Sequence, residues 1–415
     1  MFVALFLILF AAECVVELGL NELNLRHVRA RSAERNIPAV FQGRISSADY
    51  DRSVEYTLAK GRFQRWAEIY GRLLALLVLF SGVLPLLDNV SAKLTASCCP
   101  IRHAQGIIFC VSVALLLSVV RGTTDLYVRF GIEARFGFNR MTVKLYIADK
   151  LKAFLIGLVI GGPVLFIVLW LMESTGRPWW IWAGLFLSGA QLLMVVIYPT
   201  LIAPLFNTFV PLKEGDLRDR ILRLAEQIGF ETSGIYSMDG SKRSAHSNAY
   251  FTGIGRAKRI VLFDTLIEQM TVEQGLAVLA HEMGHYKMKH IRRMLAVQAS
   301  VLWAGLYGLS VARNYAPLLT AFGFDHPSNH TALVLFGLLA GPFTFCLGPL
   351  VNRLSRKHEY EADRFAAVAL GGGKAMEEAL VNLTVKNLSN LTPHPWYSAY
   401  HYSHPTPGER IAALR

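Results

Sequence analysis

Hydrophobic segments long enough to cross a bilayer recur along this chain and limit it to folds in which helices span a membrane. A spanning helix needs about 20 consecutive apolar residues. The charged fraction of the 415 residues is 17%, below the value of about 25% that is usual for soluble proteins. We therefore predict a mainly α, polytopic membrane protein with about seven transmembrane helices. The candidate spans are residues 2–20, 66–87, 104–120, 153–172, 180–205, 294–312 and 331–351.

The positive charges of the loops predict the orientation of the chain. The net charge is +12, and because no nucleic-acid-reading motif is present, we attribute it to the membrane and expect no nucleic-acid partner. The first, third and fifth loops are rich in Lys and Arg, whereas the second holds only Lys93 and Arg102 and the fourth only Arg177. The positive-inside rule then places the odd-numbered loops and the C-terminus in the cytoplasm.

The motif with the clearest chemistry is His281-Glu282-Met283-Gly284-His285, which reads H-E-x-x-H. Residues four apart share one face of a helix, so the two imidazoles can bind one zinc ion. The glutamate beside the first histidine can then act on the attacking water. Thr271 and Gln274 form a capping-box pattern that predicts the start of this helix. The motif alone also occurs by chance on solvated helices, so it needs support from elsewhere in the chain.

A third ligand is predicted downstream at Glu359, because catalytic zinc takes three protein ligands and keeps one position open. Asp363 lies one turn further on the same face, where it can accept a hydrogen bond from a ligand histidine. The alternative is a charged helix in which both carboxylates pair with neighbouring arginines. His358 is a rival ligand, but it lies about 100° around the helix from Glu359. We expect Glu361 on a solvated face and His290 off the ligand face.

In combination these segments resemble the integral-membrane zinc metalloproteases of the type I CAAX prenyl protease family. The matching segments are residues 247–253, 281–285, 355–366 and 404–411. The resemblance extends over nearly the whole chain. It implies transmembrane helices that enclose a hydrated chamber, plus a small α+β metalloprotease region of the gluzincin type.

The resemblance also implies residue roles. His281, His285 and Glu359 would hold one Zn²⁺ ion, with Glu282 as general base. His404 would stabilise the oxyanion or the leaving group, although a histidine in a proline turn is the alternative. Arg410 would order the site, or else form a plain ion pair. Substrate backbone would be held by the segment that contains Asn248, Ala249 and Tyr250.

We therefore expect a membrane endopeptidase that removes the C-terminal tripeptide (aaX) of prenylated CAAX proteins or peptides, with membrane lipid as a further partner. One alternative is a quality-control zinc protease of broader specificity, and another is a transporter or receptor with a structural metal site. We expect the protein in the endoplasmic reticulum membrane of a eukaryote or the inner (plasma) membrane of a bacterium, with its active site towards the cytoplasm.

The spans and motifs predict four segments. Residues 1–206 would form a membrane region of about five helices, and residues 207–293 a catalytic segment with an edge strand and the H-E-x-x-H helix. Residues 294–351 would add two transmembrane helices. Residues 352–415 would form a C-terminal catalytic segment that supplies the third zinc ligand.

Overall fold

The structure is a computed structural model that describes residues 1–35, 37–98, 103–253, 258–326 and 328–415. Arg102, which entered the count of loop charges, lies outside these residues. The α-helices are α1 (Phe2–Ala33), α2 (Ser47–Phe80), α3 (Val83–Cys98), α4 (Ala104–Leu126), α5 (Val143–Ile156), α6 (Gly162–Ser174), α7 (Trp179–Ile197), α8 (Asp216–Ile228), α9 (Asp264–Gln269), α10 (Val272–Lys287), α11 (His290–Ala312), α12 (Ala316–Thr320), α13 (Asn329–Leu339), α14 (Gly341–Thr344), α15 (Leu347–Ala369), α16 (Lys374–Lys386), α17 (Pro395–His401) and α18 (Pro407–Leu414). The strands are β1 (Phe209–Pro211), β2 (Gly234–Met238), β3 (Ala249–Thr252) and β4 (Arg259–Phe263).

Within the described ranges, five helical segments have the length and apolar composition needed to cross a membrane. They are Phe2–Ala33, Ala104–Glu133, Val143–Ser174, Trp179–Leu205 and His290–Ala312. Three of them combine an α-helix with a short π-helical turn, as where Gly157–Gly161 joins α5 to α6. The prediction of a mainly helical, multi-pass membrane protein is confirmed.

The second predicted span differs from a simple helix. The helices α2 and α3 meet at a 55° bend and qualify as one span only when they are taken together. Gly82 lies at this bend with a φ of 78°, a backbone conformation that glycine adopts without the steric cost of a Cβ. The predicted segment 66–87 therefore runs across the bend.

The seventh predicted span, residues 331–351, is not one continuous helix. The described residues contain five helices long and apolar enough to span a membrane, or six if α2 and α3 are one span, where about seven were expected. The apolar helix α13 ends at Leu339, and Gly341-Pro342 begins the four-residue helix α14 before α15 starts at Leu347. Proline lacks a backbone N–H, so Pro342 cannot continue the hydrogen bonds of α13, although the backbone of Ala340 stays in the right-handed helical region.

The polar region after α7 folds around a four-stranded sheet with the order β1-β2-β4-β3. The central strands β2 and β4 are parallel, while β3 pairs antiparallel with β4, with Ala249 opposite Leu262. This leaves β3 at one edge of the sheet. One buried apolar cluster joins the sheet to α8, α10, α15 and α16, through residues such as Ile221, Ile260, Leu279 and Ala366.

Candidate metal centre

The helix α10 holds the two histidines of the H-E-x-x-H motif in one turn. Its start is fixed by the predicted capping box, in which the Thr271 hydroxyl accepts from the backbone N–H of Gln274 and the Gln274 side chain accepts from that of Thr271. The Nε2 atoms of His281 and His285 lie 3.1 Å apart. Spacing along the helix and an apolar inner face therefore bring two imidazole nitrogens to one point.

Glu359 reaches the same point from α15, which packs directly against α10. Its carboxylate oxygens lie 3.4 Å from Nε2 of His281 and 3.2 Å from Nε2 of His285. The helices approach closely because Gly284 has no Cβ; an added Cβ there would lie 3.1 Å from the Cα of Ala362. The side chain of Glu359 is only 7% exposed, and Nε2 of His281 and Nη1 of Arg410 lie 3.4 and 3.5 Å from its Oε2. A buried carboxylate needs charged or polar partners of this kind.

The three donors fit a zinc ion. Ligands at about 2.0–2.1 Å from a tetrahedral zinc lie roughly 3.3 Å from one another, and the separations here are 3.1, 3.2 and 3.4 Å. Two imidazoles and a carboxylate also form a known donor set of catalytic zinc, with a fourth position left open. Within the described residues, His281, His285 and Glu359 are the group that could hold a metal ion.

Asp363 and Arg410 form an outer layer around His281. The Nδ1 of His281 lies 2.7 Å from Oδ1 of Asp363, so a proton on Nδ1 leaves the Nε2 lone pair towards the metal position. Arg410, on α18, donates to both carboxylate oxygens of Asp363 at 2.6 and 2.7 Å. This geometry brings Asp363 and Arg410 to the position that the resemblance implies for them.

The electrostatics keep the carboxylates ionised. Burial opposes the charge of Glu359, but hydrogen bonds from His281 and His285 hold the pKa of its carboxyl well below the ordinary value. Burial likewise opposes the charge of Asp363, and hydrogen bonds from Arg410 and His281 lower its pKa. Burial disfavours protonated His281, yet hydrogen bonds to the two carboxylates raise its pKa to about 9. The two carboxylates are thus ionised, and the His281 ring and Arg410 offset their charge.

Glu282 lines a cavity of about 120 Å³ beside the three donors. Burial raises the pKa of its carboxyl above the ordinary value. The same cavity is lined by Asn248, Ala249 and His404. Tyr250 is not among the lining residues; its ring packs edge-on against Phe263, with the centroids 6.3 Å apart. Tyr250 lies on the edge strand β3, which pairs with β4 among the described strands.

His404 lies at the exposed rim of the centre, between α17 and α18. Its Nδ1 is 2.9 Å from the Ser403 hydroxyl, and its Nε2 is 3.4 Å from Oε1 of Glu359. The same histidine also lines a larger cavity of about 740 Å³ between α1, α2 and α16. Arg410 borders both cavities, so the small cavity adjoins a space with room for a peptide.

The contacts around His285 were not predicted from the sequence. His290 was expected off the ligand face, yet its Nδ1 lies 3.0 Å from Nδ1 of His285. Glu361 was expected on a solvated face, yet its Oε2 lies 2.9 Å from Nε2 of His290. His358, the rival ligand, is buried and stacks on His290. The only indication in the sequence was that His285, His290, His358 and Glu361 are all polar. Helical periodicity relates residues within one helix, so it could not predict contacts between residues of different helices.

Known protein families and relatives match the chain over nearly its whole length. The family model described as "CAAX prenyl protease N-terminal, five membrane helices" matches residues 26–208, and "Peptidase family M48" matches residues 211–415. The chain is similar to CAAX prenyl protease 1 of Saccharomyces cerevisiae, with 35% identity covering 92% of this chain and 89% of that protein. It is 36% identical to the CAAX prenyl protease 1 homolog of Oryza sativa subsp. japonica, covering 94% and 93%. The crystal structure of Ste24p from S. mikatae matches with a TM-score of 0.89 and 32% identity, covering 99% of each chain.

Proposed function

Because the chain belongs to the CAAX prenyl protease 1 family of M48 metallopeptidases, we propose that this membrane metalloendopeptidase uses zinc to remove the C-terminal tripeptide of prenylated CAAX substrates. The observation that carries the proposal is the convergence of His281, His285 and Glu359 beside the free edge of β3. We assign these three residues as the zinc ligands. The two catalytic regions act together, since α10 comes from residues 207–293 and Glu359 from residues 352–415.

When bound, the zinc ion supplies Lewis-acid polarisation of the scissile carbonyl and of the attacking water. Glu282 is the general base of the reaction: it takes a proton from the water and later passes it to the leaving amine. Its partly buried position supports this role, because a raised pKa brings a carboxyl group closer to the pH at which it must both accept and release a proton.

The edge strand supports the binding of an extended peptide. Among the described strands, β3 pairs with β4 alone, so its outer backbone groups are available to a substrate strand. Asn248 and Ala249 line the cavity beside Glu282. We propose that these two residues and the backbone of Tyr250 hold the substrate across the centre, with the scissile bond opposite Glu282.

His404 and Arg410 complete the proposed machinery. The exposed imidazole of His404 is 3.4 Å from Glu359, within reach of an oxyanion or a leaving group held at the centre. Arg410 fixes Asp363 and thereby the tautomer of His281. We also propose, from the loop charges, that the site faces the cytoplasm.

A cleavage assay tests the proposal directly. The purified chain is given a farnesylated CAAX peptide or its unprenylated twin, and release of the tripeptide is measured. We expect release from the farnesylated peptide and a loss of about 10²–10⁴-fold for Glu282→Gln with zinc retained, the range for loss of a general base. Glu378→Gln, the same change at an exposed position of α16, is the matched control. Full turnover by Glu282→Gln contradicts the base assignment, and equal cleavage of both peptides favours a protease of broader specificity.

A further inference from the structure

His290 is a buried histidine with a hydrogen-bond partner on each ring nitrogen. It is only 2% exposed. Its Nδ1 lies 3.0 Å from Nδ1 of His285, and its Nε2 lies 2.9 Å from Oε2 of Glu361. A buried imidazole placed between a candidate metal ligand and a carboxylate calls for a role beyond filling space.

The backbone turns His290 back towards His285. The helix α10 ends at Lys287, and Lys289 adopts a φ of 59° before α11 begins at His290. This left-handed conformation costs a residue with a Cβ about 1–2 kcal/mol. Without the break, a residue five positions after His285 would point away from it. The chain thus accepts local strain at the junction that brings the two imidazoles together.

The pattern of donors and acceptors assigns each proton. A carboxylate only accepts, so Nε2 of His290 carries a proton and donates it to Glu361. The Nδ1 of neutral His290 is then an acceptor and must receive the Nδ1–H of His285. This leaves Nε2 of His285 with its lone pair directed at His281 and Glu359.

The carboxylate of Glu361 and the ring of His290 are also held in place by their neighbours. Lys357 and Arg293 lie 3.8 and 3.5 Å from the carboxylate of Glu361, which keeps it anionic. The ring of His358 stacks on that of His290, with centroids 4.0 Å apart and an interplanar angle of 13°. The stack restricts rotation of the His290 ring.

We propose that His290 and Glu361 form a hydrogen-bond relay that fixes His285 as an Nε2 ligand, just as Asp363 fixes His281. His290 is thus a positioning residue that acts through His285. The inference rests on the proposed function, because it takes His285 as a zinc ligand. The centre then has two anionic supports on opposite sides, Asp363 for the first histidine and Glu361, through one intermediate ring, for the second.

The test measures zinc affinity of the full chain in detergent by competition with a chelator. We expect His290→Phe, which keeps the stacked ring and removes both hydrogen bonds, to lower the affinity about 10–100-fold, as for other groups that orient metal ligands. His358→Phe makes the same change within the same stack and is expected to leave the affinity unchanged. Glu361→Ala should reproduce the loss from the partly exposed end, and Glu361→Gln, which still accepts, should recover part of it.

A second readout separates ligand orientation from stability. With cobalt in place of zinc, the visible spectrum reports the ligand geometry, and it should change in His290→Phe but not in His358→Phe. Thermal midpoints of the metal-free variants show whether each variant is folded. If His290→Phe does not fold, Glu361→Ala tests the relay in its place. Wild-type affinity in both His290→Phe and Glu361→Ala overturns the relay. A wild-type chain that binds no zinc contradicts the metal site itself, and the relay with it.

Discussion

Gly284 sets the distance between the two helices that carry the metal ligands, and Gly284→Ala is the sharpest test of this packing. An added Cβ would lie 3.1 Å from the Cα and 3.2 Å from the carbonyl oxygen of Ala362, and 3.2 Å from Cβ of Phe365. The first two of these neighbours are backbone atoms, which cannot turn aside as a flexible side chain can. The helices α10 and α15 must therefore separate by a few tenths of an ångström.

The expected change in the free energy of unfolding is the difference between two opposing contributions. Replacing glycine by alanine within a helix gains about 1 kcal/mol of helix propensity, whereas overpacking of a tight contact costs about 1–3 kcal/mol. We expect Gly284→Ala to lower the free energy of unfolding of the metal-free protein by about 0–2 kcal/mol. Because the separation moves Glu359 away from His281 and His285, we also expect about tenfold weaker zinc binding. Under a fixed excess of zinc, that loss removes about 1.4 kcal/mol of metal-linked stabilisation.

Gly275→Ala is the matched control, because Gly275 lies in the same helix and an added Cβ would meet only Leu217 Cδ1 at an ordinary 3.7 Å. We expect this variant to gain up to about 1 kcal/mol and to bind zinc normally. Thermal unfolding with and without a chelator, together with chelator competition, measures both effects. Wild-type zinc affinity in Gly284→Ala, with a thermal midpoint that matches Gly275→Ala, would refute the argument.

Two further predictions concern the ligand set and the topology. Glu359→Ala should lose zinc, because it removes one of three ligands, whereas Asp363→Ala should weaken binding by about 10–100-fold because it only frees the His281 ring; full metal occupancy in purified Glu359→Ala would remove that assignment. The loop charges predict a cytoplasmic C-terminus, and a C-terminal reporter active only outside the cytoplasm would contradict it.

Local patterns in the sequence predicted the parts of the site that lie within single helices. The capping box at Thr271 and the four-residue spacing of His281 and His285 both depend on helical periodicity alone. The pairing of Glu359 with Asp363 follows from the same spacing. Membrane helices were likewise predictable where one uninterrupted segment is long and apolar enough to span, as in α1.

Predictions failed where the outcome depended on contacts between segments. The span predicted at residues 331–351 was judged by apolar length, but Gly341-Pro342 interrupts the helix. His290 was expected off the ligand face and Glu361 on a solvated face because their helices were considered separately. The substrate-binding role of Tyr250 stays a prediction; Tyr250 is not among the residues that line the cavity beside Glu282.

The sequence by itself determined the pairing of His281 with His285, since the 3.6-residue helical repeat places residues four apart on one face. Only the tertiary structure decided how they become a site. The absence of a Cβ at Gly284 lets α15 approach until Glu359 lies 3.2–3.4 Å from both imidazoles. The backbone reversal at Lys289 brings His290 to His285. The first depends on atoms distant in sequence meeting at van der Waals distance, and the second depends on a break between two helices. A periodic pattern encodes neither.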